Sequence, residues 1–270
     1  GGIVTADRRH PVRRRCLDNR VERAPIDDRR PDNLARQRAA GKDHVFLPYS
    51  RSVGALMVSA DAPYSSLADM TGRKIGIAGG PLDKSWLILR AYAKQAFGMD
   101  LRSETEQVFG GAPLIHQAAL GGDLDGAINF WHFAAKMEAE GMRALVTVDE
   151  AAAAVGLDPE TPLLGYVVTG ALVRQEPELV AGWARAYRSA KAILADDDAE
   201  WLRIRPLMNA ASEAEFLALK AGFRAGIPKS YTVDEQAAEQ FFMLMALLGG
   251  RDLVGGATAL PEGVFLNLAD

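Results

Sequence analysis

Cysteine is almost absent from this sequence. The 270 residues contain one, Cys16, so a disulfide-held fold, cysteine redox chemistry and cysteine–metal sites are excluded for the body of the protein. Histidine is scarce as well. His10, His44, His116 and His132 form neither an H-E-x-x-H motif nor a pair four positions apart, and we therefore expect no metal site.

A long hydrophobic run is also missing. The longest uninterrupted run, residues 241–248, has eight residues, whereas a membrane-spanning helix needs about 20. The first ten residues lack the basic, apolar and small-residue order of a secretory signal. We therefore expect no membrane-spanning segment, and we expect any signal to lie upstream of this chain.

Charge of one sign is concentrated at the start. Residues 1–43 hold eleven Arg and one Lys against seven acids, a net +5, which leaves −9 for the remainder because the whole chain carries −4. Three interpretations are open: a disordered tail, translation of a GC-rich gene in the wrong frame, or a basic arm, which the interspersed acids disfavour. We expect residues 1–34 to be disordered or out of frame, and we expect no nucleic-acid partner.

Signatures of common enzymes are missing too. The run Gly76-Ile-Ala-Gly79-Gly80 lacks the G-x-G-x-x-G spacing, and no glycine precedes Lys84-Ser85 as a P-loop requires. A G-x-S-x-G elbow does not occur. The sequence therefore specifies no cofactor and no catalytic residue.

From residue 44 onward, strands and helices alternate. Short apolar runs between turn residues predict strands over residues 44–49, 53–58, 73–78, 106–109, 124–130, 143–148 and 163–169. Helical spacing predicts helices over residues 81–97, 113–120 and 131–140, and then over 177–195, 212–225 and 232–248. This order predicts an α/β fold with a mainly parallel sheet.

Local signals mark several helix ends. The S/T-x-x-E spacing after Ser212 and Thr232 predicts two capping boxes. Gly98, Gly226 and Gly249 stand where helix C-caps belong.

A glycine-rich turn precedes the helix that contains Ser85. Gly79-Gly80-Pro81 follows the strand over residues 73–78, and Pro81 suits the first helical turn. Free backbone N–H groups and the helix dipole would favour an anion there, and Ser85 would add its hydroxyl. The alternative is a plain strand-to-helix turn. Trp86 is predicted to lie in the core.

Polar and aromatic residues also end other predicted strands. Asn129 and Trp131 lie at one strand-to-helix junction, and Tyr49 and Ser50 end an earlier strand. Loops at the carboxyl ends of parallel strands are where ligands bind in open α/β sheets. These four residues are therefore candidates for ligand contact, although a strand-end tyrosine is as often a simple rim residue.

Three stretches of the chain carry a resemblance to a known family. They are NLARQRAAGKDHVFLPYS from Asn33, VGALMV from Val53 and SLADMTGRKIGIAGGPLDKSW from Ser66. Together they resemble the substrate-binding proteins of ABC importers, of the nitrate/sulfonate/taurine type. The resemblance runs from about Ala35 to the end of the chain.

The resemblance implies a two-lobed, periplasmic-binding-protein-like fold of type II that closes over a small solute. Residues 53–59 and 163–169 would be the crossing strands, residues 61–164 the second lobe, and residues 35–60 with 165–270 the first. The first lobe would be incomplete, because the arginine-rich stretch stands where the family has strand–helix units. Apolar positions of the last three helices would then lack partners: Leu179, Trp183, Tyr187, Phe216, Leu219, Phe241, Leu244 and Leu248.

The family likeness also implies a function. Tyr49 and Ser50 on the first lobe would face the cleft, and so would Gly79, Gly80, Ser85, Asn129 and Trp131 on the second. The expected solute is a small anionic or zwitterionic organic nitrogen or sulfur compound. The expected protein partner is a membrane permease, and the expected location is the periplasm, with the protein a monomer that does not catalyse a reaction.

Two alternatives remain. Thiamine-pyrimidine synthases share this architecture but depend on a cysteine-rich motif and a reactive histidine, which a body without cysteine disfavours. A regulatory protein that uses the same fold would carry a DNA-binding or membrane module, and the sequence shows neither.

Overall fold

A computed structural model describes residues 31–268 of the chain, with side chains from residue 34 onward. The strands are β1 His44–Ser50, β2 Gly54–Ser59, β3 Lys74–Ala78, β4 Glu106–Gly110, β5 Gly126–Phe130, β6 Met142–Thr147 and β7 Leu164–Thr169. The α-helices are α1 Pro31–Ala39, α2 Lys84–Phe97, α3 Leu101–Glu104, α4 Ala112–Leu120, α5 Trp131–Ala139, α6 Val148–Ala154, α7 Gly170–Gln175, α8 Pro177–Asp196, α9 Asp198–Ile204, α10 Glu213–Ala225 and α11 Glu235–Val254. In this part of the chain, no helix is both long and apolar enough to cross a membrane.

The strands form two sheets. A two-stranded sheet pairs β1 with β7 antiparallel, and a five-stranded sheet has the order β4-β3-β5-β2-β6. The chain passes between the sheets at residues 51–53 and returns at residues 155–163. These two segments form the connection between the sheets.

The prediction of a mainly parallel sheet is confirmed for four of the five strands, because β3, β4, β5 and β6 run in the same direction, and β2 is the exception. β3 runs parallel to β4 and β5, but β2 runs antiparallel to β5 and β6. β2 enters from the two-stranded sheet and inserts between the others, so its direction opposes theirs. The strand predicted as the outward crossing, which the boundary at residue 61 assigns to the first lobe, is therefore hydrogen-bonded within the five-stranded sheet.

All seven predicted strands and all six predicted helices are present, within three residues of their expected bounds except at the end of α11. That helix was expected to end at residue 248 and continues to Val254 across a kink at Gly250. The short helices α3, α6, α7 and α9 were not predicted, since each spans two turns or less and carries little periodicity. Helix α1 begins at Pro31, inside the segment expected to be disordered up to residue 34. The rest of that prediction, residues 1–30, lies outside the described residues.

Some predicted helix ends differ from the structure. Pro81 precedes α2, whose N-cap is Asp83, and Asp234 rather than Thr232 caps α11. Ser212 caps α10 through the N–H of Glu215 as expected, but the Glu215 carboxylate accepts from the Ala211 N–H instead of closing a capping box. In the first two cases an aspartate nearer the helix offers the shorter route to its free N–H groups.

The main core extends from the five-stranded sheet to the C-terminal helices. Leu56 and Ile77 of the sheet and Trp86 of α2 belong to the same buried cluster as Phe241 and Met245 of α11. Trp86 therefore lies in the core, as predicted. Helix α11 packs on α1 and α2. It therefore shares one core with the five-stranded sheet, on which α2 packs.

The expectation that the C-terminal apolar positions lack partners is wrong for most of them, including Trp183 and Tyr187 of α8, whose ring centroids lie 5.3 Å apart. Phe216, Leu219 and Phe241 are buried, because α10 packs on α5 and α11 on α2. On α8, by contrast, Leu179 is 53% exposed and Trp183 37% exposed. Among the positions named in that expectation, Leu179 and Trp183 of α8 are therefore the exposed ones.

Candidate functional site

An ion-pair cluster ties the two connecting segments together. Arg51 lies in the first segment, and its Nη1 is 3.2 Å from Oε1 of Glu160 in the second. Lys229 Nζ reaches the same carboxylate oxygen at 3.0 Å, and Arg51 Nη2 donates to the Ala225 carbonyl at 2.8 Å. The cluster therefore fixes both segments against the end of α10.

A half-buried acid lies near this cluster. Burial raises the pKa of Asp149, and the positive charge of Arg51 opposes that rise. Lys84, on α2, is buried and donates from Nζ to the Leu163 carbonyl at 3.5 Å. The connection between the sheets is thus lined by groups of both charges.

Ser50 ends β1 against the last turn of α10. Its Oγ donates to the Gly226 carbonyl at 3.1 Å and accepts from the Ser52 N–H at 3.2 Å. Ser52 Oγ donates in turn to the Gly222 carbonyl at 3.3 Å. A Cβ on Gly226 would overlap the Ser52 hydroxyl and lie 2.8 Å from Ser52 Cβ, so this close approach requires glycine.

Trp131 meets the same helix from the five-stranded sheet. Its backbone N–H donates to the Val53 carbonyl at 3.1 Å. Its ring packs over Gly222, where an added Cβ would lie 3.1 Å from Trp131 Cε3, and its centroid is 6.4 Å from that of Phe223. The structure therefore brings Ser50 and Trp131 together around α10, and Tyr49 directly precedes Ser50 in β1.

The Gly79–Gly80 turn is present between β3 and α2, but backbone N–H groups at the start of α2 already have a partner. Both glycines have positive φ, 97° and 120°, which side-chain-bearing residues rarely adopt. The Asp83 carboxylate accepts from the N–H groups of Ser85 at 2.9 Å and Trp86 at 3.3 Å. Two of the N–H groups that we expected to be free for an anion are therefore bound by an internal carboxylate.

Ser85 and Asn129 are both buried, but their polar groups differ. Asn129 is 1% exposed, its Nδ2 donates to the Ala112 carbonyl at 3.0 Å, and its Oδ1 accepts from the Phe130 N–H at 2.9 Å. Ser85 is 2% exposed, and its Oγ has no hydrogen-bond partner among the described residues. Leaving such a group unpaired costs about 1–3 kcal/mol.

None of the residues predicted to contact a ligand lines either of two cavities in the described part of the chain. One, of ≈ 490 Å³, lies beside α11, and the other, of ≈ 230 Å³, lies beside Glu160 and Lys229. The region around residues 51–53 and 155–163, where the two sheets connect, is called the junction. Across residues 31–268, no group of three His, Cys, Asp or Glu side chains has the arrangement of a metal site.

Sequence reasoning missed one residue at this junction, Lys191 of α8. Its side chain is 3% exposed, and burial lowers its pKa to about 8. The sequence did carry a signal, since residue 191 follows the buried positions Val180 and Ala184 at helical spacing. A lysine within the apolar stripe of an amphipathic helix is unusual.

The comparisons with known proteins agree with this geometry. Residues 32–200 match the family described as NMT1/THI5 like. The chain belongs to this NMT1/THI5-like family. The match covers both connecting segments, the five-stranded sheet and α8, so it includes every candidate residue named above. No curated protein matches the sequence.

The structure of the chain is similar to several solved structures, which identifies its fold. The periplasmic aliphatic sulphonate binding protein SsuA from Escherichia coli is 13% identical, with a TM-score of 0.67 over 84% of this chain and 71% of that one. The alkanesulfonate-binding protein SsuA from Xanthomonas axonopodis pv. citri, bound to MOPS, is 14% identical, with a TM-score of 0.65 over 88% and 78%. An ABC transporter protein from Parabacteroides distasonis is 15% identical, with a TM-score of 0.64 over 89% and 80%. The fold is that of the periplasmic binding proteins.

Proposed function

We propose that the protein is the solute-binding component of an ABC uptake system. Its solute is a small anionic or zwitterionic organic nitrogen or sulfur compound, which it delivers in the periplasm to a membrane permease. The single observation that carries the proposal is the buried Ser85 hydroxyl, which lacks a partner beside the Gly79–Gly80 turn. A buried polar group without a partner is costly unless a ligand supplies one.

The connection between the sheets supports the same function. Two segments, residues 51–53 and 155–163, join the sheets and are tied by Arg51 and Glu160. Closure around a ligand is a hinge motion of a few connecting residues. A hinge at residues 51–53 would directly follow Tyr49 and Ser50, and it would include Val53, whose carbonyl accepts from the Trp131 N–H.

The proposal is binding without catalysis. The thiamine-pyrimidine synthases that share this architecture depend on a cysteine-rich motif, and no cysteine follows Cys16. We therefore expect a solute recovered from the protein after prolonged incubation to be chemically unchanged, which mass spectrometry would establish.

Calorimetric titration with nitrate, taurine and ethanesulfonate tests the function directly. We expect saturable 1:1 binding of at least one of them. A hydrogen bond to a charged group contributes about 1.5–3 kcal/mol, so Ser85→Ala should weaken that binding about tenfold to a hundredfold. Ser103→Ala is the matched control, because Ser103 Oγ donates to the Asp100 carbonyl on an exposed turn.

Two results would count against the proposal. If none of the three solutes binds the protein, and circular dichroism shows that the protein is folded, the proposed function is wrong. If a solute binds but Ser85→Ala binds it equally well, Ser85 does not contact the ligand.

A further inference from the structure

The charge of Lys191 is unusual among the described side chains. Lys191 is 3% exposed, and within residues 31–268 no carboxylate pairs with it: burial alone accounts for the change in its pKa. The other buried lysine at the junction, Lys84, lies near Asp149. A buried charge is normally paired because removing it from water is costly. Lys191 therefore requires an explanation.

The surroundings of the ammonium group resemble a partly filled binding site. Nζ donates to the Tyr49 carbonyl at 2.6 Å. It also lies 3.6 Å from the centroid of the Tyr49 ring and 5.0 Å from that of Phe223, distances at which a cation is attracted to an aromatic face. An ammonium carries three N–H donors, and one suffices for the carbonyl of Tyr49.

The aromatic rings around Lys191 lie where the two sheets meet. Tyr49 ends β1 of the first sheet, and Phe223 of α10 packs against Trp131, which follows β5 of the second. The three rings are partly exposed, whereas the lysine beneath them is buried. A ligand that entered between Tyr49 and Trp131 would therefore meet the ammonium at the bottom of an aromatic-walled site.

We infer that Lys191 is the charge anchor of the solute site and binds the singly charged oxyanion group of the solute. The inference rests on the proposed function and deepens it, since it names a ligand residue and the part of the solute that this residue recognises. The apolar part of the solute then contacts Tyr49, Phe223 and Trp131. The negative charge completes the ion pair that the folded protein leaves open.

A double comparison separates this role from a purely structural one. Ethanesulfonate and the neutral ethanesulfonamide have nearly the same shape, and each is titrated into the wild type and Lys191→Met. We expect Lys191→Met to weaken ethanesulfonate binding at least tenfold and to change ethanesulfonamide binding by less than threefold. Lys220→Met is the matched control, because Lys220 pairs with Asp198 at 3.3 Å and lies near the ring of Phe216; it should leave both affinities unchanged.

A second measurement needs no variant and covers the case in which Lys191→Met fails to fold. The Cε resonance of Lys191 in ¹³C-lysine-labelled wild type reports the protonation of its amine. Saturation with ethanesulfonate should raise the pKa of Lys191 by about one unit or more, because the bound anion stabilises the ammonium.

The results separate failure of the role of Lys191 from failure of the solute-binding function. Equal losses of both probes in Lys191→Met, or a Lys191 pKa that does not move when ethanesulfonate saturates the wild type, would overturn the role of Lys191 and leave the solute-binding function standing. If neither ethanesulfonate, taurine nor nitrate binds the wild type, the proposed function and the anchor fail together.

Discussion

Burial of Lys191 makes the stability of the protein depend on pH in the alkaline range. Burial lowers the pKa of this amine from 10.5 to about 8, and unfolding returns it to the ordinary value. Between pH 8 and pH 10.5 the unfolded chain therefore holds a proton that the folded protein has released. Because the unfolded state binds more protons, the free energy of unfolding rises with pH across this window. Below pH 8 both states are protonated and this contribution is constant.

The size of the effect follows from the pKa. Each unit of pH between the folded and unfolded pKa values changes the free energy by about 1.4 kcal/mol. Raising the pH from 7 to 9.5 passes the folded pKa by about 1.5 units, so the folded state gains about 2 kcal/mol. Burial raises the pKa of Tyr49 and of Tyr187 above 10.0, so these neighbouring phenols stay neutral in this window.

Urea unfolding of the wild type and of Lys191→Met, followed by circular dichroism from pH 7 to pH 9.5, measures the effect. Methionine has nearly the same volume but no proton to lose. The variant therefore lacks the rise in the free energy of unfolding that Lys191 causes, while all other titratable groups are the same in both proteins. The difference between the two free energies should grow by about 2 kcal/mol over this range. Stabilities that change in parallel from pH 7 to pH 9.5 would refute the reasoning.

Three further predictions concern the junction. Gly226→Ala should lower the free energy of unfolding by about 1–3 kcal/mol, because its Cβ would meet Ser52; Gly256→Ala, with nothing within 4 Å, should not, and urea midpoints compare the two. Glu160→Gln should lower the free energy of unfolding by about 1 kcal/mol because Arg51 loses its ion-pair partner, whereas an unchanged urea midpoint would show that the pair contributes nothing. Saturating ethanesulfonate should change the fluorescence emission of the wild type but not of Trp131→Phe; a change that persists in the variant would come from another tryptophan.

Strong local patterns predicted most elements of the fold. The buried run of β3 and the 20-residue amphipathic helix α8 were found within one or two residues of their bounds, because periodicity and turn residues act along the chain itself. The direction of β2 could not be found in this way. Strand direction depends on which other strand lies alongside, and β2 pairs with β5 and β6, both distant in sequence.

The candidate site was predicted less well than the fold. A glycine-rich helix start selected Ser85 and the end of a strand selected Asn129, but neither pattern says what else lies within hydrogen-bonding distance of the side chain. The partner of Asn129 Nδ2 is the Ala112 carbonyl, 17 residues earlier in the chain. Lys191 was missed because only strand ends were considered, although its place in the buried stripe of α8 was visible in the sequence.

The buried polar groups of the junction divide by whether the protein itself satisfies them. Asn129 and Ser50 use their side-chain oxygen or nitrogen atoms on backbone groups of the fold, so they hold loops together and have little left to offer a solute. Ser85 Oγ has no partner among the described residues, and Lys191 has no carboxylate there. If stability alone mattered, replacing both side chains by apolar residues would raise the free energy of unfolding. The Ser85 hydroxyl and the Lys191 ammonium are therefore the two buried groups at which the proposed oxyanion would supply a partner, the first as a hydrogen-bond acceptor and the second as a counter-charge.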